Sequence, residues 1–536
     1  IGVWDENLSV LPKEVLEKVI YVPCENEVNL MTHFLSYWSK FTPNIVTGWN
    51  VETFDMPYIA NRLEKLGLKR EKLSPWNWVD IRSVPNKMGG GADEIKVHIS
   101  GVDVIDYLAL YRKNRTQDSY RLDNIAQVEL GEKKSLGTLE MLDMSRTPFT
   151  SELSNNVFEQ TEDDEEFNTF AAARKLRVDT QNSNNPNKDT ELVWMRREEK
   201  QAAFQAFISY NIQDVNLVKR LDEKMGLLDA QIIIAYEACM NFEDVSSPVR
   251  TWDSLINKEM WANNQIPHYQ IEKQGAGESI PGGYVKEPHI GKHGWCVSFD
   301  LASLYPHLIM QFNISPETLD HQYRLWPELS EEQRLQKLLK DQDVIEGGQC
   351  GMFSVAASGY RFSNDKEGII PKLMRKMYND RKVFKKKMLE KQKRGEDDSI
   401  ENLRQYVFKI LLNSGYGALV NQYFRWFDRR MGMSITLSGQ FVIQVAEREI
   451  NKWMNKVLQT DNVDYVVAID TDSNYVNFQP LVDKYYSDKS QSEIVDIIDK
   501  IAEEQVQKVL NNGFANVAEQ LSAYDQKMLM EREAIA

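Results

Sequence analysis

The stretch Tyr465-Val-Val-Ala-Ile-Asp-Thr-Asp-Ser-Asn-Tyr-Val-Asn-Phe478 decides how the second half of the chain folds. Two short runs rich in β-branched and aromatic residues flank a polar tetrapeptide, which predicts a β-hairpin with a tight turn. Alternate residues of a strand share a face, so Asp470 and Asp472 can converge at the hairpin tip, where they repel each other unless a cation neutralises them. The stretch therefore predicts either a metal site or an Asx-rich turn that caps its own backbone.

A further acidic residue, Asp300, lies upstream in Ser298-Phe-Asp-Leu-Ala-Ser-Leu-Tyr-Pro306. The apolar run before Asp300 predicts a strand that ends on this residue and is followed by a compact turn. With Asp470 and Asp472, it gives three acidic residues at strand ends, a ligand set for phosphoryl transfer with two metals. Mg²⁺ prefers oxygen ligands and keeps several waters, so two or three carboxylates suffice.

One segment of this acidic chain is strongly basic. A formal net charge of −16, taken alone, argues against nucleic-acid binding, yet residues 371–394 hold eleven Lys or Arg and only two acidic residues. Pro371 begins a helical pattern that Gly395 ends, and a second helical run returns over residues 400–417. The pattern predicts an antiparallel helical hairpin whose basic arm is either a localised anion site or a solvated face.

The spacing within this hairpin places polar residues on shared faces. Arg381 and Lys385 are four residues apart, as are Lys409 and Asn413, so each pair lies on one side of its helix. Cations from both arms would clamp a triphosphate and offset the charge that develops during its transfer. Tyr416, one turn beyond Asn413, adds an aromatic platform suited to lie under a base pair.

The first 130 residues alternate strand-like and helix-like runs, which predicts an α/β layer domain. Residues 140–195 differ, because their acidic and Asn-rich composition buries little apolar surface. We expect a partly disordered insertion there, with a short helix around Phe167, Phe170 and Leu176.

The cysteine spacing and the lengths of the apolar runs predict where in the cell the protein is found. The four cysteines lie far apart without paired metal spacing, which predicts reduced thiols. No apolar run approaches the ~20 residues needed to cross a bilayer, and the sequence begins without a signal-peptide pattern. These features predict a cytoplasmic protein without a membrane partner.

Three motifs together resemble those of the family B DNA polymerases. They are Ser-Leu-Tyr-Pro after Asp300, Lys-Ile-Leu-Leu-Asn-Ser-Gly-Tyr-Gly over residues 409–417, and Asp-Thr-Asp-Ser over residues 470–473. Each motif alone is weak, whereas the ordered combination is specific. Nearly the whole chain except the insertion resembles the replicative polymerases of T-even-type bacteriophages, also through residues 47–55, 251–253, 284–288 and 532–535.

The resemblance implies a multidomain α/β and α+β chain. Its parts would be an RNase H-like 3′–5′ exonuclease domain, a polymerase palm made of an antiparallel sheet with helices, and a helical-hairpin fingers domain. The expected bounds are 1–235 for a partial exonuclease domain, 236–290 for the linker and approach to the palm, 291–360 and 421–536 for the two parts of the palm, and 361–420 for the fingers.

The resemblance also assigns the polymerase site. Asp300 and Asp472 would bind two Mg²⁺ ions, the backbone of Leu301 would complete one coordination sphere, and Asp470 would be a supporting catalytic carboxylate. Tyr305 would pack under the sugar and leave no room for a 2′-hydroxyl, which selects deoxynucleotides. The nucleotide-binding residues implied are Leu301, Ser303, Leu304, Tyr305, Arg381, Lys385, Lys409, Asn413 and Tyr416.

For the exonuclease, the resemblance assigns divalent-metal binding to Asp55 and Asp214 and the orientation of water to Tyr210. Tyr210 and Asp214 are four residues apart on a predicted helix, although that spacing is common on helix surfaces. The implied partners are primer–template DNA, deoxynucleoside triphosphates and a sliding clamp reached through a C-terminal segment beyond this chain. The implied setting is phage genome replication in an infected bacterial cell.

Some residues depart from the family pattern. The chain shows no Asp-x-Glu pair upstream of Asp55, Ile469 stands where Gly is usual, and Ile280 replaces the Tyr that usually precedes Pro-Gly-Gly. The chain also ends before the thumb and its lysine-containing motif, so we expect a fragment with poor exonuclease and weak, non-processive polymerase activity. Two alternatives remain: a nucleic-acid-binding remnant without catalysis, and a stand-alone exonuclease, which leaves Asp300 and Lys409 without a role.

Overall fold

The structure is a computed structural model that describes residues 9, 11–84, 94–132, 173–177, 190–194, 197–267, 275, 277–341, 343–345 and 351–536. The chain divides into two compact units, Ile1–Leu228 and Asp229–Ala536. Each unit has its own cluster of buried apolar side chains. Residue 235, the predicted end of the first domain, lies within a helix, Leu227–Ala238.

The first unit combines helices with short strand pairs. Its helices are α1 (Lys13–Leu16), α2 (Glu27–Phe41), α3 (Met56–Lys65), α4 (Tyr107–Asn114), α5 (Leu122–Leu130) and α6 (Arg197–Met225). Its strands are β1 (Ile45–Gly48), β2 (Val79–Val84), β3 (Glu94–Ile99), β4 (Asp103–Asp106), β5 (Ala173–Arg177) and β6 (Thr190–Trp194). Strands β1 and β4 pair in parallel, whereas β2 and β3 form an antiparallel pair. This content confirms mixed helix and sheet in the first unit.

Little of the predicted insertion over residues 140–195 is among the described residues. Its two described pieces, β5 and β6, pair as antiparallel strands. Leu176 belongs to β5, so the prediction of a helix at that residue is wrong, because the segment pairs as a strand. Phe167 and Phe170 lie outside the described residues.

The second unit is built on a five-stranded antiparallel sheet. Its strands are β7 (Val285–Lys286), β8 (Cys296–Leu301), β11 (Val466–Asp470), β12 (Ser473–Asn477) and β13 (Met530–Ile535), and β9 (Phe353–Val355) and β10 (Arg361–Ser363) form a separate pair. The order across the sheet is β13-β8-β12-β11-β7. The β11–β12 pair confirms the predicted hairpin, and its turn residue Thr471 has a left-handed φ of 54°.

Helices cover this sheet and extend from it. They are α7 (Leu227–Ala238), α8 (Pro248–Ala262), α9 (Leu304–Gln311), α10 (Glu331–Lys340), α11 (Ile369–Arg394), α12 (Ser399–Leu419), α13 (Arg429–Leu458), α14 (Gln479–Tyr485), α15 (Gln491–Ile501) and α16 (Gln507–Gln520). Helices α11 and α12 are the predicted hairpin, and α11 ends at Gly395, whose φ of 68° suits a residue without a side chain.

The packing of the hairpin base explains its position. Gly415 of α12 is buried against the indole of Trp252, which lies in α8 and is 1% exposed. The Trp252 indole N–H donates to Ser414 Oγ at 3.1 Å, so the buried ring has a polar partner. Within the described parts of the chain, no helix is both long enough and apolar enough to cross a membrane.

Candidate active site

The sheet brings the two predicted metal-binding carboxylates to one edge. Strands β8 and β12 are antiparallel neighbours with Ser473 opposite Asp300. The Ser473 hydroxyl donates to Asp300 Oδ1 at 2.9 Å, and the Leu301 N–H donates to the Asp472 carbonyl at 2.9 Å. The turn of the hairpin is therefore joined to the end of β8 by one side-chain and one backbone hydrogen bond.

Electrostatics make this carboxylate pair costly in its ionised form. Burial raises the pKa of Asp472 above its ordinary value, and the charge of Asp300 raises it further. Burial also raises the pKa of Asp300, which the hydrogen bond from Ser473 partly offsets. Two half-buried carboxylates whose pKa values are both raised form a site where a divalent cation would be stabilising.

Asp470 has a different environment from its two neighbours. Its carboxylate is exposed and accepts a hydrogen bond from Thr471 Oγ1 at 3.3 Å. Across the part of the chain that the structure describes, no three carboxylate, imidazole or thiol side chains are grouped as metal ligands. Of the three predicted carboxylates, Asp300 and Asp472 are half-buried, and the charge of the exposed Asp470 contributes to the raised pKa of Asp472.

A cavity of about 620 Å³ lies over this pair. It is lined on one side by the sheet edge and the turn into α9, and on the other by helices α11 and α12. Most of the predicted nucleotide-binding residues line it, namely Leu301, Ser303, Leu304, Tyr305, Arg381, Lys385, Lys409 and Asn413.

Three cations of this cavity have no ion pair with a carboxylate among the described residues. Arg381 is half-buried, and burial holds its pKa below the ordinary arginine value. Among the described residues, its Nε atom has no hydrogen-bond partner. Lys385 and Lys409 are exposed, and no ion pair joins either to a described carboxylate. Cations on the helices that face carboxylates on the sheet edge suit a bound anion that also carries a divalent cation.

Tyr305, which lines the cavity, packs against a second aromatic residue. The ring centroids of Tyr305 in α9 and Tyr416 in α12 lie 4.5 Å apart. Burial, together with the neighbouring Tyr305, raises the pKa of Tyr416 to about 12, so both phenols are neutral at physiological pH. Tyr416 does not itself line the cavity, but it contacts Tyr305, which does.

Seven further residues line the cavity without having been predicted, and four of them are polar: Tyr378, Lys382, Thr471 and Glu531. Tyr378 packs edge-on against the buried His307, with the two ring centroids 4.6 Å apart. Glu531 lies opposite Asp300 in the β13–β8 pair, so both side chains stand on one face of the sheet. Glu531 could not be assigned to the site from the sequence, because the residues around it indicate only a short strand and do not show that this strand pairs with β8.

The first unit contains a second pair of acidic side chains. Asp55 lies at the start of α3, and both burial and the charge of Asp106 raise its pKa. Asp106 accepts N–H bonds from Asn50 at 3.1 Å and Leu108 at 2.9 Å, so it caps α4. Asp106 was not predicted, and a cap residue following a strand was its only sequence signal.

Tyr210 and Asp214, the other two predicted residues of this unit, lie one turn apart on α6. Both make interactions with other groups. The charge of Asp106 raises the pKa of Asp55. Asp106 is therefore a carboxylate near Asp55 that the sequence did not predict.

Comparison with known proteins matches both halves of the chain. The family described as DNA polymerase family B matches residues 250–532, and its exonuclease domain matches residues 4–125. The DNA-directed DNA polymerase of Escherichia phage RB69 is 29% identical over 586 residues, covering 98% of this chain and 57% of the relative. That of Enterobacteria phage T4 is 29% identical over 606 residues, covering 100% and 59%. DNA polymerase 1 of Pyrococcus abyssi is 24% identical over 429 residues, covering 78% and 44%. The chain thus spans less than two thirds of the length of these relatives.

Proposed function

The chain belongs to DNA polymerase family B, and from this premise we propose that it adds deoxynucleotides to a primer 3′ end under the direction of a template. The observation that carries the proposal is the cavity in which Asp300 and Asp472 face Arg381, Lys385 and Lys409. Acidic and basic walls of this kind suit a triphosphate bound together with divalent cations.

The domain assignment follows from the same premise. The five-stranded sheet with its covering helices would be the palm, over residues 291–360 and 421–536, and the α11–α12 hairpin would be the fingers, over residues 361–420. Residues 1–235 would form an RNase H-like exonuclease domain, joined through residues 236–290.

Two Mg²⁺ ions would be held by Asp300 and Asp472, with the backbone carbonyl of Leu301 as a further ligand. Mg²⁺ is commonly bound by one or two carboxylates together with waters and substrate phosphates, so this donor set fits the ion. When bound, the ions would supply electrostatic stabilisation of the attacking and leaving oxygens. Asp470, at the exposed end of β11, would act as a supporting charge.

The residues of the chain would bind and orient the nucleotide. Arg381, Lys385 and Lys409 would hold the triphosphate, with Asn413 aligning it. The backbone around Ser303 and Leu304 would lie along the phosphates. Tyr305, fixed by its contact with Tyr416, would lie under the sugar and exclude a 2′-hydroxyl by steric contact.

The first unit would carry the 3′–5′ proofreading activity. Asp55 and Asp214 would bind divalent metals, and Tyr210 would orient water. Asp106 would hold the backbone before Asp55 through its bond to the Asn50 N–H. The partners of the complete protein would be primer–template DNA, deoxynucleoside triphosphates and a sliding clamp, in phage genome replication within the host cell.

Primer extension tests the proposed function. The purified chain is mixed with a primer–template and each deoxynucleoside triphosphate in turn, with Mg²⁺ or with EDTA. We expect addition only of the nucleotide complementary to the template base, and only with Mg²⁺. DNA binding without incorporation would instead support a binding remnant, and primer shortening alone would support a stand-alone exonuclease; either result overturns the proposal.

Two adjacent lysines provide a matched control. Lys385 lines the cavity, whereas Lys386 is exposed and lies 4.0 Å from Glu390. Lys385→Ala should raise KM for the nucleotide by roughly tenfold or more, because a charged contact to phosphate is lost. Lys386→Ala should stay within about twofold of the wild type, because an exposed ion pair contributes little.

A further inference from the structure

An extended segment runs along helix α13 and reaches the turn that carries Asp472. The Ser279 carbonyl accepts from Arg429 Nη2 at 2.9 Å, and the Gly282 carbonyl accepts from Gln440 Nε2 at 2.7 Å. Farther on, the Lys286 ammonium donates to Glu447 Oε1 at 2.5 Å. We call residues 279–286 the strap.

The strap is fastened to α13 at three successive points. Arg429, Gln440 and Glu447 bind Ser279, Gly282 and Lys286 in that order. The strap therefore runs in the same direction as the helix, and its middle is held between two fastened ends.

That middle contacts the turn of the β11–β12 hairpin. The Thr471 N–H donates to the Tyr284 carbonyl at 2.9 Å. Gly283 lies so close that an added Cβ would stand 2.7 Å from both Thr471 Cγ2 and Thr471 Oγ1. Next to this contact, β7 pairs with β11, with Val285 opposite Asp470.

The turn is a place that needs such support. Thr471 is a β-branched residue with a φ of 54°, a conformation that side chains of this type rarely adopt. Its neighbour Asp472 is tied to the end of β8, because its carbonyl accepts from the Leu301 N–H at 2.9 Å. Left-handed strain acts to open the turn, and the hydrogen bond to the Tyr284 carbonyl and the pairing of β7 with β11 oppose it.

Lys286 anchors the far end of the strap. Its side chain is 13% exposed and lies 2.5 Å from carboxylates of both Glu447 and Asp464. The Val466 carbonyl accepts a third hydrogen bond from the ammonium at 2.7 Å. Because Glu447 lies on α13, Val466 begins β11 and Asp464 lies two residues before it, this single side chain fastens the strap to the helix and to the start of the strand.

We propose that the strap is a positioning element of the proposed polymerase site, which holds Thr471 in its left-handed turn and thereby sets Asp472 against Asp300. Gly283 is the contact residue and Lys286 the anchor. The inference rests on the proposed function, since its consequence for catalysis requires that the carboxylate pair binds the metals. Ile280, one of the departures from the family pattern, packs against Gly432 of α13 and contributes to the same fastening.

Neighbouring glycines offer a matched test. Gly283→Ala places a methyl group against Thr471, whereas Gly282→Ala places one where no atom lies within 4 Å. We expect Gly283→Ala to lower kcat by ~10-fold to ~100-fold, as for a displacement of catalytic groups by a fraction of an ångström to one ångström. KM for the nucleotide should change by less than about threefold, because the triphosphate cations are untouched.

Metal binding gives a readout besides activity. Titration calorimetry with Mn²⁺ alone, without DNA or nucleotide, should show weaker binding by Gly283→Ala than by Gly282→Ala. The double variant Gly283→Ala with Thr471→Gly should recover part of both losses, because it removes the contacting side chain and the left-handed strain together. A purely structural role for Gly283 would lower thermal stability without this recovery.

A second variant keeps the test decisive if Gly283→Ala does not fold. Gln440→Ala removes the bond to the Gly282 carbonyl from a partly exposed position, and should shift kcat and Mn²⁺ binding in the same direction by a smaller factor. The proposal would be overturned if the wild type is active and both Gly283→Ala and Gln440→Ala have the same kcat and Mn²⁺ affinity as Gly282→Ala. An inactive wild type would instead overturn the proposed function.

Discussion

Asp472 combines two roles that oppose each other. Its backbone joins the hairpin turn to β8 through the Leu301 N–H, which stabilises the fold. Its carboxylate, half-buried beside Asp300, is costly to ionise without a cation. A residue of this kind lowers the stability of the protein without metal and becomes favourable only when a divalent ion binds.

This opposition predicts that Asp472→Asn stabilises the metal-free protein. A carboxyl whose folded pKa is raised destabilises the fold above that pKa, and the penalty disappears as pH falls through it. The variant should therefore melt higher at pH 8 in EDTA by ~2 °C, an effect screened by partial exposure. The gain should vanish toward pH 4. Calorimetry in which the variant melts lower than the wild type at pH 8 would refute the repulsion.

Tyr305 gives a second prediction at this scale. The centroid of its ring lies 4.5 Å from that of Tyr416, and Tyr305 lines the cavity. Tyr305→Ala should reduce the preference for deoxynucleotides over ribonucleotides by at least ~10-fold in kcat/KM, because the steric barrier to the 2′-hydroxyl is lost. Tyr305→Phe keeps the ring and should retain the preference. Equal discrimination by Tyr305→Ala and the wild type would remove Tyr305 from the sugar site.

Among elements, the α11–α12 hairpin depends on a close approach at its base. A Cβ at Gly415 would collide with Met374 Cε and would stand 2.8 Å from Trp252 Cζ2, whereas Gly417 has open space. Gly415→Ala should destabilise the unit by about 1–3 kcal/mol through overpacking. Gly417→Ala should be neutral or slightly stabilising, because alanine favours the helix. Denaturant unfolding compares them, and equal midpoints would contradict the packing account.

Some elements could be predicted from the sequence, whereas the pairing between others could not. The hairpin β11–β12 and helices α11 and α12 were predictable because local periodicity, Pro371 and Gly395 specify them. The pairing of β13 with β8, which adds Glu531, was not predictable, because contacts between strands far apart in sequence leave no local pattern. For the same reason, the contact of Gly283 with Thr471 was visible only in the structure.

At the scale of the molecule, the two units have separate apolar cores. Leu63 lies in the core of the first unit and Ile443 in that of the second, and both are fully buried. Separate cores predict two thermal transitions. Leu63→Ala should lower one transition and Ile443→Ala the other, each by a loss of ~3 kcal/mol. A single transition that both substitutions lower equally would contradict the prediction of two independent cores.

The central claim is that Asp300 and Asp472 hold the metals for nucleotide addition. Single-turnover incorporation with Mg²⁺ compares Asp472→Asn with Asp461→Asn, which removes the same charge from an exposed position before β11. The account predicts that Asp472→Asn loses at least ~100-fold in rate. Primer–template affinity should change by less than about threefold, and Asp461→Asn should match the wild type. Incorporation by Asp472→Asn within about twofold of Asp461→Asn would contradict the claim.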